Sequence, residues 1–286
     1  MVTGRIVAAV TGQGLPGVTV DLAGRSTATG DGGAFRDELP PETVNSFPRV
    51  TVTGPDILTR SLSLLLPGSR DVTLDVIALS GEFDLGFYRR LVRDNFDSPE
   101  LLRSLRRWVQ APRVYLRTVD EAGQSIESAT LEPVASALVD DAAGWTGGRF
   151  GLASVERGAD TREGVSGWIT VKWPAAVSGN LCGRAQIAVS GGWIELYYQN
   201  RNCACKRSRI SPGTVRHELG HAMGFYHTGD RNDVMFGTIS CDNHPSARER
   251  LHAAIAYGRP VGNTDPDSDP TTSLQSHLQA PIIIEN

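Results

Sequence analysis

Three histidines and a glutamate share one short stretch of the chain, His217-Glu218-Leu219-Gly220-His221-Ala222-Met223-Gly224-Phe225-Tyr226-His227. Residues four apart lie one turn above each other on a helix, so His217 and His221 can aim at a single ion. Gly224 lets the chain leave that helix in a conformation other residues resist, and the turn can swing His227 back as a third nitrogen. Three neutral imidazoles make a zinc set with an open position. Glu218 projects to another side of the helix, where it can take a proton from water instead of binding the ion. The chemistry expected is zinc-dependent hydrolysis of a peptide bond. Ordinary surface histidines are the weaker reading, because three of only six in the chain fall at ligand spacing. A metal site without catalysis is the other alternative, and Glu218 weighs against it.

The flanking pattern supplies elements to hold these groups. Ser211-Pro212 is a helix start, with the serine as cap and the proline in the first turn, and Val215, Leu219 and Ala222 give the zinc helix an apolar face. Upstream, residues 113–117 read as a strand. Residues 127–143 read as a helix with Leu131, Val134, Ala135, Leu138 and Val139 on one face. Residues 168–173, 185–189 and 193–198 read as strands, the last two joined at Gly191-Gly192 as a hairpin. Residues 244–257 read as a final helix with Leu251, Ala254 and Ile255 inward.

The remainder divides by composition. Residues 1–78 carry short β-branched runs at 5–10, 18–22, 50–53 and 72–76 between Gly, Pro and Asp turns, the pattern of a small β-sandwich. Residues 79–112 show apolar residues three and four apart at 87–92 and 101–109, two amphipathic helices of a linker with Arg103, Arg106 and Arg107 on a solvated face. A catalytic domain is expected over 113–260 and a flexible tail over 261–286, whose Asp/Pro/Ser/Thr-rich start resembles a disordered segment. Calcium binding by those aspartates is conceivable but lacks a glycine-turn ligand loop. The fold class is α+β.

At 286 residues and 40% hydrophobic content the chain can fill two cores, and its net charge of -4 argues against a nucleic-acid partner. No apolar run approaches the roughly 20 residues of a membrane span, so none is expected. No signal peptide opens the sequence, which leaves an intracellular protein or a trimmed secreted one. The four cysteines, Cys182, Cys203, Cys205 and Cys241, favour disulfides and therefore the secreted option. Folding the hairpin at Gly191-Gly192 brings Cys182 near position 201, which favours Cys182–Cys203 with Cys205–Cys241; Cys182–Cys205 is nearly as close. A monomer is expected.

Met235, eight residues after His227 in Asp233-Val234-Met235-Phe236, completes a pattern that resembles the metzincin metallopeptidases. The resemblance implies a twisted mixed sheet, the zinc helix, a tight turn at Met235 beneath the metal and a C-terminal helix. It also implies an edge strand that pairs with an extended substrate, here assigned to Trp193, Ile194, Glu195, Leu196 and Tyr197, and an S1′ wall along Phe236 to Ser240. Position 237 is glycine where astacin- and serralysin-like members carry tyrosine, and the motif is most similar to matrixins. Residues 1–78, through Gly4-Arg5-Ile6-Val7, Gly14-Leu15-Pro16-Gly17-Val18 and Asp31-Gly32-Gly33-Ala34-Phe35, resemble the carboxypeptidase regulatory-like (transthyretin-like) module, to which no chemistry is assigned. Together these imply a secreted zinc endopeptidase acting on a protein or peptide, with Arg201, Lys206 and Arg207 leaving a grip on a substrate terminus open. The alternatives are an extracellular binding or adhesion protein that keeps the fold, and a peptidase dedicated to one protein partner.

Overall fold

Alternation of β-branched and polar residues builds two sheets in the first 76 residues. The structure, a computed structural model, describes residues 1–38, 47–64, 71–79, 81–176, 179–205, 208–238, 241–271 and 282–285. It separates into two units. In the first, β1 (Val2–Ala8), β2 (Thr19–Leu22), β3 (Arg25–Ala28), β4 (Ala34–Asp37), β5 (Arg49–Thr53), β6 (Arg60–Ser63) and β7 (Asp71–Val76) form the sheets β4-β1-β7 and β3-β2-β5-β6. Their inward positions, Ile6, Val20, Leu22, Val50, Val52 and Val76 among them, meet in one apolar cluster. Period-two burial is plain in β5, where Val50 and Val52 are buried and their neighbours are not.

Residues 258–271 belong to this same unit, which corrects the expectation of a flexible tail from residue 261. Arg259 is fully buried and its guanidinium donates to both Asp267 carboxylate oxygens, at 2.7 and 2.8 Å, and to Asp75. Asn263 donates to Asp267 and Asp269, and Arg60 pairs with Asp75 and Asp269. Composition suggested solvated charge; long-range arginine partners supply the pairing that lets these carboxylates be buried. The same pairing uses Asp267 and Asp269, two of the aspartates that were conceivable calcium ligands. Residues 272–281 and 286 of the expected tail lie outside the described residues.

The second unit holds α1 (Leu85–Arg93), β8 (Arg113–Arg117), α2 (Ser128–Ala142), β9 (Ser154–Gly158), β10 (Trp168–Lys172), β11 (Gly183–Gln186), β12 (Gly192–Leu196), α3 (Pro212–Met223), α4 (Ala247–Tyr257) and β13 (Ile283–Glu285). Its sheet has the order β13-β11-β12-β10-β8-β9, with β9, β8, β10 and β12 parallel and β11 antiparallel to both β12 and β13. The α3 helix packs against α2, β11 and β12. The chain is thus α+β, with the helix that carries His217 and His221 laid beside the antiparallel end of the sheet.

Several local expectations shift. Residues 101–108 are not helical, and α1 lies in the same unit as the histidine helix and not in a separate linker. Trp108 is instead buried as a tertiary anchor, donating Nε1–H to Ala222 O at 2.8 Å, while Leu101, Leu102 and Val109 of the expected helix face are exposed. Val139 is exposed and not on the buried face of α2. The strand expected at 185–189 begins earlier, since the chain turns at Ala188 with φ of 43°. The polar strand β9 had no hydrophobic signal to reveal it.

Candidate metal centre and active site

The helix α3 starts and stops where its sequence dictates. Ser211 Oγ accepts from Thr214 N at 2.9 Å, Pro212 takes the first turn, and Gly224 closes the helix at φ 116°, a left-handed conformation costly for any other residue. His217 and His221 therefore stand one turn apart on a rigid element. After Gly224 the chain is pinned by Tyr226 N donating to Leu91 O at 2.8 Å, which returns His227 to the same point. The ligand nitrogens of all three buried histidines lie within 4.8 Å of one another.

Each ring is held by its other nitrogen. His217 Nδ1 meets Val234 O at 2.6 Å, His221 Nδ1 meets Phe225 O at 2.7 Å, and His227 Nδ1 meets Asp97 Oδ2 at 2.7 Å. Carbonyls and carboxylates only accept, so in all three rings Nδ1 carries the hydrogen and donates it. Burial, then the neighbouring His217 and His227, holds His221 well below the ordinary histidine range, so this ring is neutral and its Nε2 is a bare lone pair. His217 Nε2 and His221 Nε2 are 3.0 Å apart. With both hydrogens at Nδ1, two lone pairs would face each other at that distance, an arrangement that a cation between them makes favourable. The donor set of three imidazoles with anchored Nδ1 groups fits zinc.

Glu218 is fully buried and points toward β11, where a Cβ on Gly183 would overlap its Oε1. The absence of a side chain at 183 is what makes room for that carboxylate. Met235 lies beneath α3, with its Sδ against Gly220, where any Cβ would collide with it. The loop carrying it is closed by Thr228 N donating to Met235 O at 2.9 Å and by Thr228 Oγ1 donating to Asp233 at 2.9 Å. From α4, Glu249 accepts the N–H groups of Val234, Met235 and Ser246 at 3.1, 2.8 and 2.7 Å. Burial pushes Glu249 up to about 7, against these three donors and with the Asp233 carboxylate adding to the rise.

Disulfides join Cys182 to Cys203 and Cys205 to Cys241, the favoured pairing. The second spans 36 residues that include α3, the histidines and Met235. Closing a loop of that size stabilises by about 4 kcal/mol in the chain-entropy account.

The strand assigned to substrate does not have a free edge. β12 is hydrogen-bonded to β10 on one side and β11 on the other, so the backbone of Trp193, Ile194, Glu195 and Leu196 is already paired. Ile194 and Leu196 are buried core, and Tyr197 is buried too, its hydroxyl donating to Glu195. Glu195 is buried in ion pairs with Lys172 and Arg184, whose cationic groups also lie over the Trp193 ring. The apolar strand directly before the histidine helix is a core strand here, and β11 and then β13 lie outside it. Phe236 is half-buried beside the Met235 loop, while Ile239 and Ser240 of the expected pocket wall lie outside the described residues. Arg201 sits in a short 3-10 turn, and Lys206 and Arg207 are also outside the described residues.

Asp97, Glu249 and Gly183 were not anticipated. Asp97 is 130 residues from the ring it orients, a separation no local pattern reveals. A glycine in a β run is a signal of close approach, and Gly183 could have been found by it.

No protein-family model and no curated protein matches the sequence. Among solved structures, the chain is similar to metalloproteinase-II from Bacteroides fragilis at 12% identity, over 88% of this chain and 84% of that one, with a TM-score of 0.35. A likeness of that size carries no argument about this chain. Among the described residues no helix is long and apolar enough to cross a membrane.

Proposed function

We propose that the chain is a zinc-dependent peptidase of metzincin type, matrixin-like in its motif, that cuts internal peptide bonds. The observation that carries this is the set of three buried imidazoles, each fixed through Nδ1, whose ligand nitrogens lie within 4.8 Å of one another, with the buried Glu218 next in the helix to His217. His217, His221 and His227 would hold the metal. Zinc bound there supplies Lewis acidity, lowering the pKa of water and polarising a carbonyl. Glu218 accepts a proton as water oxygen bonds to the carbonyl carbon, and returns it to the amine nitrogen as the carbon–nitrogen bond breaks. Met235 supports α3 from below, and Asp97 keeps His227 in the tautomer that presents Nε2. The two disulfides support an oxidising, extracellular setting. Phe236, half-buried beside the Met235 loop, is the residue we assign to substrate contact there.

The test combines metal content with cleavage. Wild type should hold one zinc by elemental analysis and His221→Ala should lose it. Glu218→Gln should keep the zinc and the fold while turnover drops by roughly 10²–10⁴-fold. Peptides blocked at both ends should still be cut. Full activity in zinc-replete Glu218→Gln would end this assignment, and stepwise trimming of free-ended peptides alone would end the endopeptidase part of it.

A further inference from the structure

An outer strand that can take an extended peptide has unpaired N–H and C=O groups along one side, and β11 is the strand that offers them nearest Glu218. In the structure that side is taken by the chain itself. β13 pairs antiparallel with β11 in the register Arg184–Glu285, Ala185–Ile284 and Gln186–Ile283, and Ile187 N donates to Ile282 O at 2.9 Å. Among the described residues β13 has no neighbour on its other side.

Three observations distinguish this strand from an ordinary member of the sheet. Its direction matters first, because the antiparallel pairing runs the segment toward Gly183, the residue whose missing side chain accommodates Glu218. An extended peptide in the same register places its next residue opposite Gly183, beside that carboxylate. Second, β13 buries little of its own: Ile283 is 47% exposed and Ile282 and Ile284 are only half-buried, whereas Ala185 and Ile187 of the facing segment are fully buried. Main-chain bonds hold it more than side-chain packing does, which is the character of a bound peptide strand. Third, it is three residues long, and a short outer strand with few buried contacts opens at low cost.

We propose that residues 282–285 are an intramolecular ligand of the peptide-binding edge, lying where the N-terminal side of a bound substrate would lie and competing with it. This rests on the peptidase reading of the site. It also names a recognition preference: extended segments with β-branched apolar residues, which the β11 edge accepts as it accepts Ile282, Ile283 and Ile284.

The test is chosen to be readable without catalysis. By the alternation of an antiparallel ladder, Ile284 falls at the next hydrogen-bonding position after Ile282, so Ile284→Pro removes a ladder N–H. A fluorescein-labelled peptide with the sequence of residues 279–286 is titrated by anisotropy into metal-free wild type and metal-free I284P. The variant should bind at least about tenfold tighter, because apparent affinity falls by the fraction of chains whose edge is open. Hydrogen exchange should rise in I284P at Ala185 and Ile187 and fall again on adding the peptide. With zinc, I284P should show a lowered KM at unchanged kcat, and the peptide should inhibit it competitively. Equal affinities in the two proteins would overturn the proposal. So would unfolding of the whole catalytic unit in I284P, which would make β13 an integral strand. If the peptide binds I284P more tightly and neither protein cleaves anything, the peptidase reading fails and the self-occupied edge stands.

Discussion

At the scale of single residues, the proposed metal centre depends on groups outside its three histidine ligands. Asp97 is a partly exposed carboxylate whose role is to fix which nitrogen of His227 carries the hydrogen. Removing such a partner costs about 10–100-fold in metal affinity, so Asp97→Ala should weaken zinc binding by that factor in a chelator competition while Asp97→Asn, still able to accept, loses less. Unchanged affinity in the alanine variant would show that His227 is fixed by other contacts. Gly183 acts by absence. A methyl group there displaces the Glu218 carboxylate, and misplacement of a catalytic group by about 1 Å costs on the order of 10²-fold. Gly183→Ala should therefore lose about that much turnover with zinc still bound, and an active, zinc-replete variant would mean that Glu218 is free to move aside.

At the scale of elements, α4 braces the Met235 loop through one carboxylate, and its protonation links that brace to pH. Glu249 is pushed from 4.5 to about 7 chiefly by burial. A carboxyl whose pKa is raised on folding holds its proton more tightly in the folded state, so its contribution is full below about 4.5 and is lost as pH rises through about 7. The alanine variant has no such group. In metal-free protein, the destabilisation caused by Glu249→Ala should thus be larger at pH 5 than at pH 8, by roughly 2 kcal/mol from the size of the shift. Denaturant unfolding at the two pH values measures it, and the reverse trend would mean that the three N–H donors outweigh burial. None of this could be read from sequence, although α3, α4 and the histidine set could. Caps, glycine stops and four-residue spacing are local, so Ser211, Pro212, Gly224 and the pair His217 and His221 were legible. Which strand forms the edge is decided by pairing between distant segments. The apolar run 193–196 looks the same whether it ends a sheet or lies within one, and three residues at 283–285 carry too little pattern to announce that they close it.

At the scale of the whole molecule, the chain returns to its first unit after completing α4, and the return is secured by charge. Composition alone made residues 263–270 look solvated, because their neutralising partners, Arg60 and Arg259, lie outside that stretch and meet it only in the fold. Arg259 has no access to solvent, and Asp267 meets it with both carboxylate oxygens while Asp75 takes a further donor. Burying a pair is weak evidence of stability, but removing one partner leaves an uncompensated charge and costs about 3–5 kcal/mol. Asp267→Ala should therefore lower the melting temperature of the unit that contains the two N-terminal sheets, while zinc stoichiometry stays at that of wild type. Arg259→Met combined with Asp267→Ala should be milder than Asp267→Ala alone, because the double variant no longer buries a guanidinium that has lost its bidentate partner and keeps only Asp75. Calorimetry on the single and double variants decides the matter: if Asp267→Ala melts as wild type does, the return of the chain is held by its backbone contacts at Ser61 and Leu105 and not by the buried ion pair.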